Sequence, residues 1–144
     1  MMKAIPQACL SGAHLVYSML RVSDLEQSLD FYCGKLGMTL LRREEYPTGA
    51  FTLAFVGYGP SPASTIELTH NWDGRKYQHG TGFGHLAIGV DDLKASCDAL
   101  AAVGVRILRA PGPMLHLAEE SERHEHIAFI ADPDGYRVEL VQNR

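Results

Sequence analysis

An internal repeat is the feature that most constrains what this 144-residue chain can fold into. Two stretches of the chain align with each other in the same order at four places: 17–25 with 85–93, 36–41 with 103–108, 53–56 with 127–130, and 66–68 with 138–140. Chance is a poor explanation for matches that keep their order, and such self-similarity marks one supersecondary unit used twice. The sequence therefore predicts two related modules, at about 14–72 and about 82–142.

The sequences of the two modules predict the same order of secondary-structure elements. A strand comes first (about 15–22 and 85–90), a helix follows (about 24–36 and 92–103), and three further strands complete the unit. The sequence therefore predicts an α+β fold of two βαβββ modules. We expect mostly antiparallel sheets that form a cup, within a single domain over 1–144.

The helices carry recognisable start and stop signals. Ser23 and Glu26 have the spacing of a capping box, in which each side chain bonds the backbone of the other residue. Gly37 and Gly104 stand where the two helices are expected to end, because glycine readily adopts the left-handed conformation that closes a helix. The apolar residues of the first helix fall on one face: Leu25, Leu29, Tyr32 and Leu36.

Composition limits the classes of function. The formal net charge of −4 leaves no basic face to neutralise phosphates, which argues against nucleic acid as a partner. No apolar run approaches the ~20 residues of a membrane span, and 1–12 predicts a loose tail rather than a signal peptide. The three cysteines, Cys9, Cys33 and Cys97, are odd in number and widely spaced. This argues against a disulfide framework and favours a cytoplasmic protein.

Strand alternation predicts which polar side chains share a face. Glu67 and Glu139 each lie between two apolar residues of a predicted strand, so each carboxylate points away from its neighbours. His85 opens the first strand of the second module, and Tyr17 occupies the matching place in the first. Taken singly, a strand glutamate is usually solvated and a lone histidine is usually structural. A His with two carboxylates would also suit a divalent Zn, Ni, Co, Mn or Fe ion, and spacing alone does not decide between these two explanations. The repeat adds weight to the metal site, since the two glutamates are equivalent.

Several segments share one family pattern: Met-Leu-Arg-Val at 19–22, Ser-Leu-Asp-Phe-Tyr at 28–32, Leu-Gly-Met at 36–38, Ile-Glu-Leu-Thr-His-Asn-Trp at 66–72, Gly-Phe-Gly-His at 82–85, and Asp-Pro-Asp-Gly-Tyr at 132–136 followed by Val-Glu-Leu at 138–140. With these segments the chain resembles the glyoxalase I family of the vicinal oxygen chelate superfamily, from about residue 15 to 142. The resemblance implies the glyoxalase-like fold of two βαβββ modules.

The resemblance also implies a metal centre. In that family four strand residues hold one divalent ion, and three of them match Glu67, His85 and Glu139. The fourth is His or Gln in the family, whereas this chain has Tyr17 there. The implied cofactor is one divalent metal ion per site, with Ni, Co or Zn expected.

The fourth ligand position has alternatives. A phenol such as that of Tyr17 has an ordinary pKa near 10 and is a poorer neutral ligand than imidazole, although a phenolate also binds metal. His14 is three residues upstream, where a regular strand would turn it to the other face. His124 or His126, in the loop 114–126, is a further candidate for the missing ligand.

The implied reaction converts the hemithioacetal of glutathione and methylglyoxal into S-lactoylglutathione through an enediolate. The matching general base is Glu139, helped across the site by Glu67. Arg21 and Asn71 match residues that grip glutathione. In several relatives the region of the acidic loop 114–126 supplies a basic residue that closes over the substrate, near the position of Glu125 here, and in this loop only Arg123 could take that role.

Family members commonly pair their modules between two subunits, so the resemblance implies a homodimer with shared sites. Tyr17 and Glu67 would then come from one chain, and His85 and Glu139 from the other. Two other functions stay open because of Tyr17. One is a metal-free binding protein of the bleomycin-resistance type, and the other is another metalloenzyme of the superfamily, such as an epimerase or a dioxygenase.

Overall fold

Two four-stranded sheets make up the frame of the molecule. The computed structural model describes residues 9–144, so most of the tail expected over 1–12 lies outside the described part. The sheets belong to two successive βαβββ units, which confirms the predicted α+β architecture. No helix in the described range is both long enough and apolar enough to cross a bilayer.

The two modules share one topology. The first contains β1 (Ser18–Arg21), α1 (Leu25–Leu29) continued by a π-helical segment (Asp30–Lys35), β2 (Thr39–Tyr46), β3 (Phe51–Gly57) and β4 (Ile66–Asn71). The second contains β5 (Leu86–Val90), α2 (Leu93–Ala102), β6 (Arg106–Pro113), β7 (His126–Ala131) and β8 (Arg137–Gln142). The sheet orders are β1-β4-β3-β2 and β5-β8-β7-β6. In each sheet the first strand runs parallel to its neighbour and the other pairs are antiparallel.

The start of α1 differs from the prediction. Asp24 is the N-cap, and its side chain accepts a hydrogen bond at 3.1 Å from the backbone N–H three residues later. Ser23 instead donates its hydroxyl to Asp134 in the second module at 2.6 Å, and Glu26 forms an ion pair with an arginine of β2. The capping box is therefore wrong, because the neighbouring aspartate meets the free helix N–H groups. Asp92 caps α2 in the same way.

The end of the first helix also differs. A single α-helix over 24–36 was predicted, but its second half is π-helical, and the Leu36 N–H donates to the Phe31 carbonyl five residues earlier at 2.8 Å. The predicted stops are confirmed. Gly37 and Gly104 adopt φ values of 78° and 86°, which glycine reaches without steric cost.

One continuous core joins both modules. It is built from the helices and from the sheet faces that pack against them, and includes Leu20, Val22 and Leu68 of the first module and Leu93, Val138 and Leu140 of the second. The opposite face of the first sheet is open, and exposes Tyr17 and Met19 at its edge. Because residues two apart on a strand share a face, this open face collects the polar residues singled out by sequence.

Candidate metal and substrate site

The first half-site, formed by Tyr17 and Glu67, lies on the open face of the first sheet. Met19, Glu67 and Phe55 are register partners on three adjacent strands, so their side chains share that face. Tyr17 comes just before β1, which begins later than the predicted residue 15. Its ring meets that of Phe55 edge to face, with the centroids 5.4 Å apart. The Glu67 carboxylate is buried and accepts a hydrogen bond from the Thr69 hydroxyl at 2.8 Å.

The second half-site, formed by His85 and Glu139, repeats this arrangement on the second sheet. Ala87, Glu139 and Phe129 are register partners on β5, β8 and β7. The His85 ring meets that of Phe129 edge to face, with the centroids 5.1 Å apart. The His85 Nε2 atom lies 3.6 Å from Oε1 of Glu139. A nitrogen donor that directly precedes β5 and an oxygen donor on β8 are thus brought together.

Tyr17 and His85 hold equivalent places. Each precedes the strand partner of a glutamate by two residues, and each packs edge-on against the phenylalanine paired with that glutamate. A guanidinium covers each phenylalanine, that of Arg42 at 3.8 Å and that of Arg137 at 4.7 Å from the ring centroid. The register inferred from the repeat, with Tyr17 matching His85, therefore describes the folded chain.

The two half-sites belong to two separate sheets. Among residues 9–144, no three or more His, Cys, Asp or Glu side chains of one chain gather closely enough to hold a metal ion. One chain thus presents two pairs of candidate ligands instead of a single set of four. A complete four-residue site would require the half-site of the first sheet to face a half-site of the second kind.

The donor atoms fit a divalent ion. Two ligands that bind one tetrahedral ion at ~2.1 Å lie about 3.4 Å apart, close to the 3.6 Å between His85 and Glu139. Glu67 adds a second argument, since a buried carboxylate is costly without a positive partner. Within the part of the chain that the structure describes, no Lys, Arg or His forms an ion pair with Glu67. These residues therefore suit a cation.

The surroundings of Tyr17 favour its neutral phenol form. Glu67 raises the pKa of Tyr17 above its ordinary value, first through hydrogen bonding to the phenol and then through its negative charge. Arg42 acts in the opposite direction as a nearby positive charge. The raised pKa favours the neutral phenol, whereas a metal ligand at this position would have to be the phenolate.

A cavity of about 580 Å³, here called the Arg21 pocket, opens at the end of the first sheet. Arg21 and Asn71, the two predicted substrate-binding residues, both line it, together with Trp72, Arg75 and Tyr77. Asn71 donates its side-chain amide to the Tyr77 hydroxyl at 2.9 Å. The pocket shares a sheet with the first half-site, since Asn71 and Glu67 lie on the same strand and the same face.

Arg123 lies elsewhere in the chain. It lines a cavity of about 460 Å³ at the end of the second sheet, with His124 and His126. The His124 ring nitrogen Nδ1 lies 2.6 Å from the Met114 carbonyl oxygen, a contact within its own loop. His14 likewise contacts the backbone nearby, at Gly12. Within one chain, none of the histidines considered as a fourth ligand joins a group of three metal donors in the described range.

The sequence reasoning missed several residues of the site. The phenylalanines were visible as a signal, since Phe55 and Phe129 are aligned within the repeat at 53–56 and 127–130. Arg42 gave no such signal, because its repeat equivalent Arg109 instead donates to backbone carbonyls around β6 and β7. Tyr77 stands in an irregular connection, for which periodicity makes no prediction.

Comparison with known proteins shows the family to which the chain belongs. The model of the Glyoxalase/Bleomycin resistance protein/Dioxygenase superfamily matches residues 13–140. The chain is 53% identical to the Probable lactoylglutathione lyase of Synechocystis sp., over 89% of this chain and 94% of that protein. It is 50% identical to the Lactoylglutathione lyase of Neisseria meningitidis, over 90% of this chain and 91% of that protein.

A solved structure agrees with these relatives. The crystal structure of glyoxalase I from Zea mays superposes with a TM-score of 0.79 and 39% sequence identity. The match covers 89% of this chain and 44% of the Zea mays chain, so this protein spans less than half of that chain.

Proposed function

Because the chain belongs to the Glyoxalase/Bleomycin resistance protein/Dioxygenase superfamily, we propose that it is a glyoxalase I-like lactoylglutathione lyase. It isomerises the hemithioacetal of glutathione and methylglyoxal to S-lactoylglutathione. Relatives named lactoylglutathione lyase, which align with about nine tenths of the chain, support this activity. The family prediction made from the sequence is confirmed.

The observation that carries the proposal is the pair of equivalent half-sites. Each offers a strand glutamate beside an aromatic or imidazole side chain, in the same register and against the same phenylalanine. Glu67, His85 and Glu139 are the residues that would hold a divalent ion, with Tyr17 at the fourth position. Bound there, the ion would polarise the substrate oxygens, and we infer Ni, Co or Zn as the metal.

Glu139 is the general base of the proposed reaction. Its carboxylate accepts the proton that leaves one substrate carbon and returns it to the neighbouring carbon, so the reaction has no net change in protons. Only a small part of the Glu139 side chain is exposed, and a carboxylate shielded from water keeps the proton for its return. Glu67 assists from the opposite half-site.

The Arg21 pocket is the proposed site for the glutathione part of the substrate. Arg21 and Asn71 lie on neighbouring strands and offer a guanidinium and an amide to a carboxylate. Arg75 also lines the pocket, and its ion pair with Asp73 holds it there. Arg123 is proposed to approach the same substrate from the second module of another subunit.

We infer a homodimer in which the two half-sites come from different chains. The open face of the first sheet, with its exposed Tyr17 and Met19, supports this arrangement. So does the lack of a four-residue site within the described part of one chain. In a symmetric dimer both shared sites form together, because a two-fold axis brings each half-site opposite its counterpart.

The alternatives are not favoured. A metal-free binding protein of the bleomycin-resistance type has no use for the buried Glu67 carboxylate or for the paired His85 and Glu139. The named relatives also favour the lyase over an epimerase or dioxygenase. We propose the cytoplasm as the location, since the cysteines of the described part are free thiols.

The test is turnover with added metal. Purified protein loaded separately with Ni, Co and Zn should raise the thioester absorbance when methylglyoxal and glutathione are mixed. Glu139→Gln should abolish this signal, whereas Glu119→Gln, a matched change in the exposed loop, should leave it intact. No turnover with any of the three metals would refute the proposed function.

A further inference from the structure

The turn between β7 and β8 reaches from the second module into the first. Tyr136, at its end, is buried and donates its hydroxyl to the carbonyl oxygen of Arg21 at 2.8 Å. Further hydrogen bonds from the first module hold the same turn, including one from the Ser23 backbone N–H to Asp134 at 3.1 Å. The Ser23 hydroxyl donates to Asp134, and the Tyr32 hydroxyl donates to Asp132 at 2.7 Å. The backbone of Arg21, a residue of the Arg21 pocket, is thus tied to the other module.

The ring of Tyr136 holds the connection between β4 and β5. His79 stacks on it, with centroids 3.9 Å apart and planes 6° from parallel, and Phe83 meets it edge to face at 5.5 Å. This connection has no regular structure, so side-chain contacts of this kind are what fix its path. It begins after Asn71 and ends at His85, so it joins the substrate pocket to the second half-site.

Tyr136 therefore contacts two segments that contribute residues to the Arg21 pocket, β1 at Arg21 and the 72–85 connection. Its hydroxyl fixes the backbone of β1 at Arg21, and its ring fixes the connection that carries Tyr77, the partner of Asn71. Burial, with two nearby aspartates, raises the pKa of Tyr136. The phenol thus stays protonated and remains a donor to the Arg21 carbonyl at physiological pH.

We propose that Tyr136 is a positioning residue for substrate binding, which holds Arg21 and the 72–85 connection in the arrangement that grips the substrate. This proposal rests on the proposed lyase function. Tyr136 acts through Arg21 and Asn71 and not by contact with the reacting atoms. It sets KM more than kcat, because the grip on the unreactive part of the substrate is the same in the ground and transition states.

Two matched variants separate positioning from general stability. Tyr136→Phe keeps the stacked ring and removes the hydrogen bond to Arg21. Tyr32→Phe removes a hydrogen bond of similar length from the same turn, but one that reaches Asp132 and not Arg21. In metal-loaded protein, Tyr136→Phe should raise KM for the hemithioacetal about two- to tenfold, with kcat within about twofold of wild type. Tyr32→Phe should lower Tm and leave KM unchanged.

A second measurement needs no turnover. Binding of S-methylglutathione, a stable thioether, should weaken by the same factor in Tyr136→Phe and stay at the wild-type level in Tyr32→Phe. Amide hydrogen exchange at 21–23 should quicken in Tyr136→Phe, because the Arg21 carbonyl loses its hydrogen bond to the turn. Inactive wild-type protein that still binds the thioether would refute the lyase function and leave the binding comparison to decide the role of Tyr136.

Other results would overturn the proposal. If Tyr136→Phe keeps the wild-type KM and thioether affinity, Tyr136 does not position the pocket. If both variants weaken binding equally, the turn acts only through stability. If wild-type protein neither turns over nor binds the thioether, both the lyase function and the positioning role are wrong.

Discussion

Replacing Tyr17 by histidine should strengthen metal binding at the proposed centre. With an ordinary pKa near 10, about one phenol in a thousand is ionised at pH 7, and Glu67 raises the pKa of Tyr17 further. An imidazole with a pKa near 6.5 is mostly neutral at that pH and binds without losing a proton. A tyrosine ligand must first lose its phenol proton, and Tyr17→His removes this cost, which amounts to up to about a thousandfold in apparent metal affinity. Since a phenolate is the stronger donor and regains part of this, we expect a Kd about ten- to a thousandfold lower.

The assay is competition for Ni²⁺ with a coloured chelator at pH 7, with lyase turnover measured in parallel. Tyr58→His is the matched control, because Tyr58 and Tyr17 are exposed to nearly the same degree, 45% and 44%. Tyr58 lies outside both half-sites and bonds the Leu36 carbonyl instead. Tyr17→His should tighten Ni²⁺ binding and raise turnover, while Tyr58→His changes neither. If Tyr17→His leaves Kd and turnover within twofold of wild type, Tyr17 does not occupy a ligand position.

Three further predictions concern stability and metal dependence. Asp24→Ala should lower the free energy of unfolding by about 0.5–2 kcal/mol in urea titration, because Asp24 caps α1; an equal loss in the surface variant Glu26→Ala would contradict this. Burial raises the pKa of Asp132, so the folded state holds this proton more tightly than the unfolded state. The free energy of unfolding of wild type relative to Asp132→Asn should therefore fall as pH rises from about 4 through the raised pKa, and a constant difference would refute the shift. Removal of metal by a chelator should abolish turnover and Ni, Co or Zn should restore it, whereas full activity in protein shown to be metal-free would contradict the metal role.

The fold was largely predictable from the sequence because the repeat and the strand periodicity both depend on local pattern. The repeat matches Tyr17 to His85 and Glu67 to Glu139, and strand alternation predicts that the two residues of each half-site share a face. The wrong capping box shows that a local sequence pattern does not predict a hydrogen bond to a residue distant in the chain. Ser23 was available to cap α1, but it bonds Asp134, a partner far away in sequence.

The rest of the site depends on contacts that no local pattern records. The hydrogen bond from Tyr136 to Arg21 joins two modules, and the stacking of His79 on Tyr136 fixes an irregular connection. The π-helical segment was missed, because the apolar spacing of the first helix predicted one continuous α-helix. In the proposed homodimer the half-sites meet between two chains, and spacing within one sequence does not record such a meeting.

Subunit complementation tests the shared site most directly. Glu67→Gln and Glu139→Gln homodimers each carry one altered half-site in both active sites, so each should be inactive. Unfolding and refolding the two variants together should form mixed dimers in which one site holds both changes and the other holds none. With equal amounts and random pairing, about a quarter of the wild-type activity should return. If the mixture stays as inactive as its components, while refolded wild type regains its activity, the four residues do not form a site between two chains.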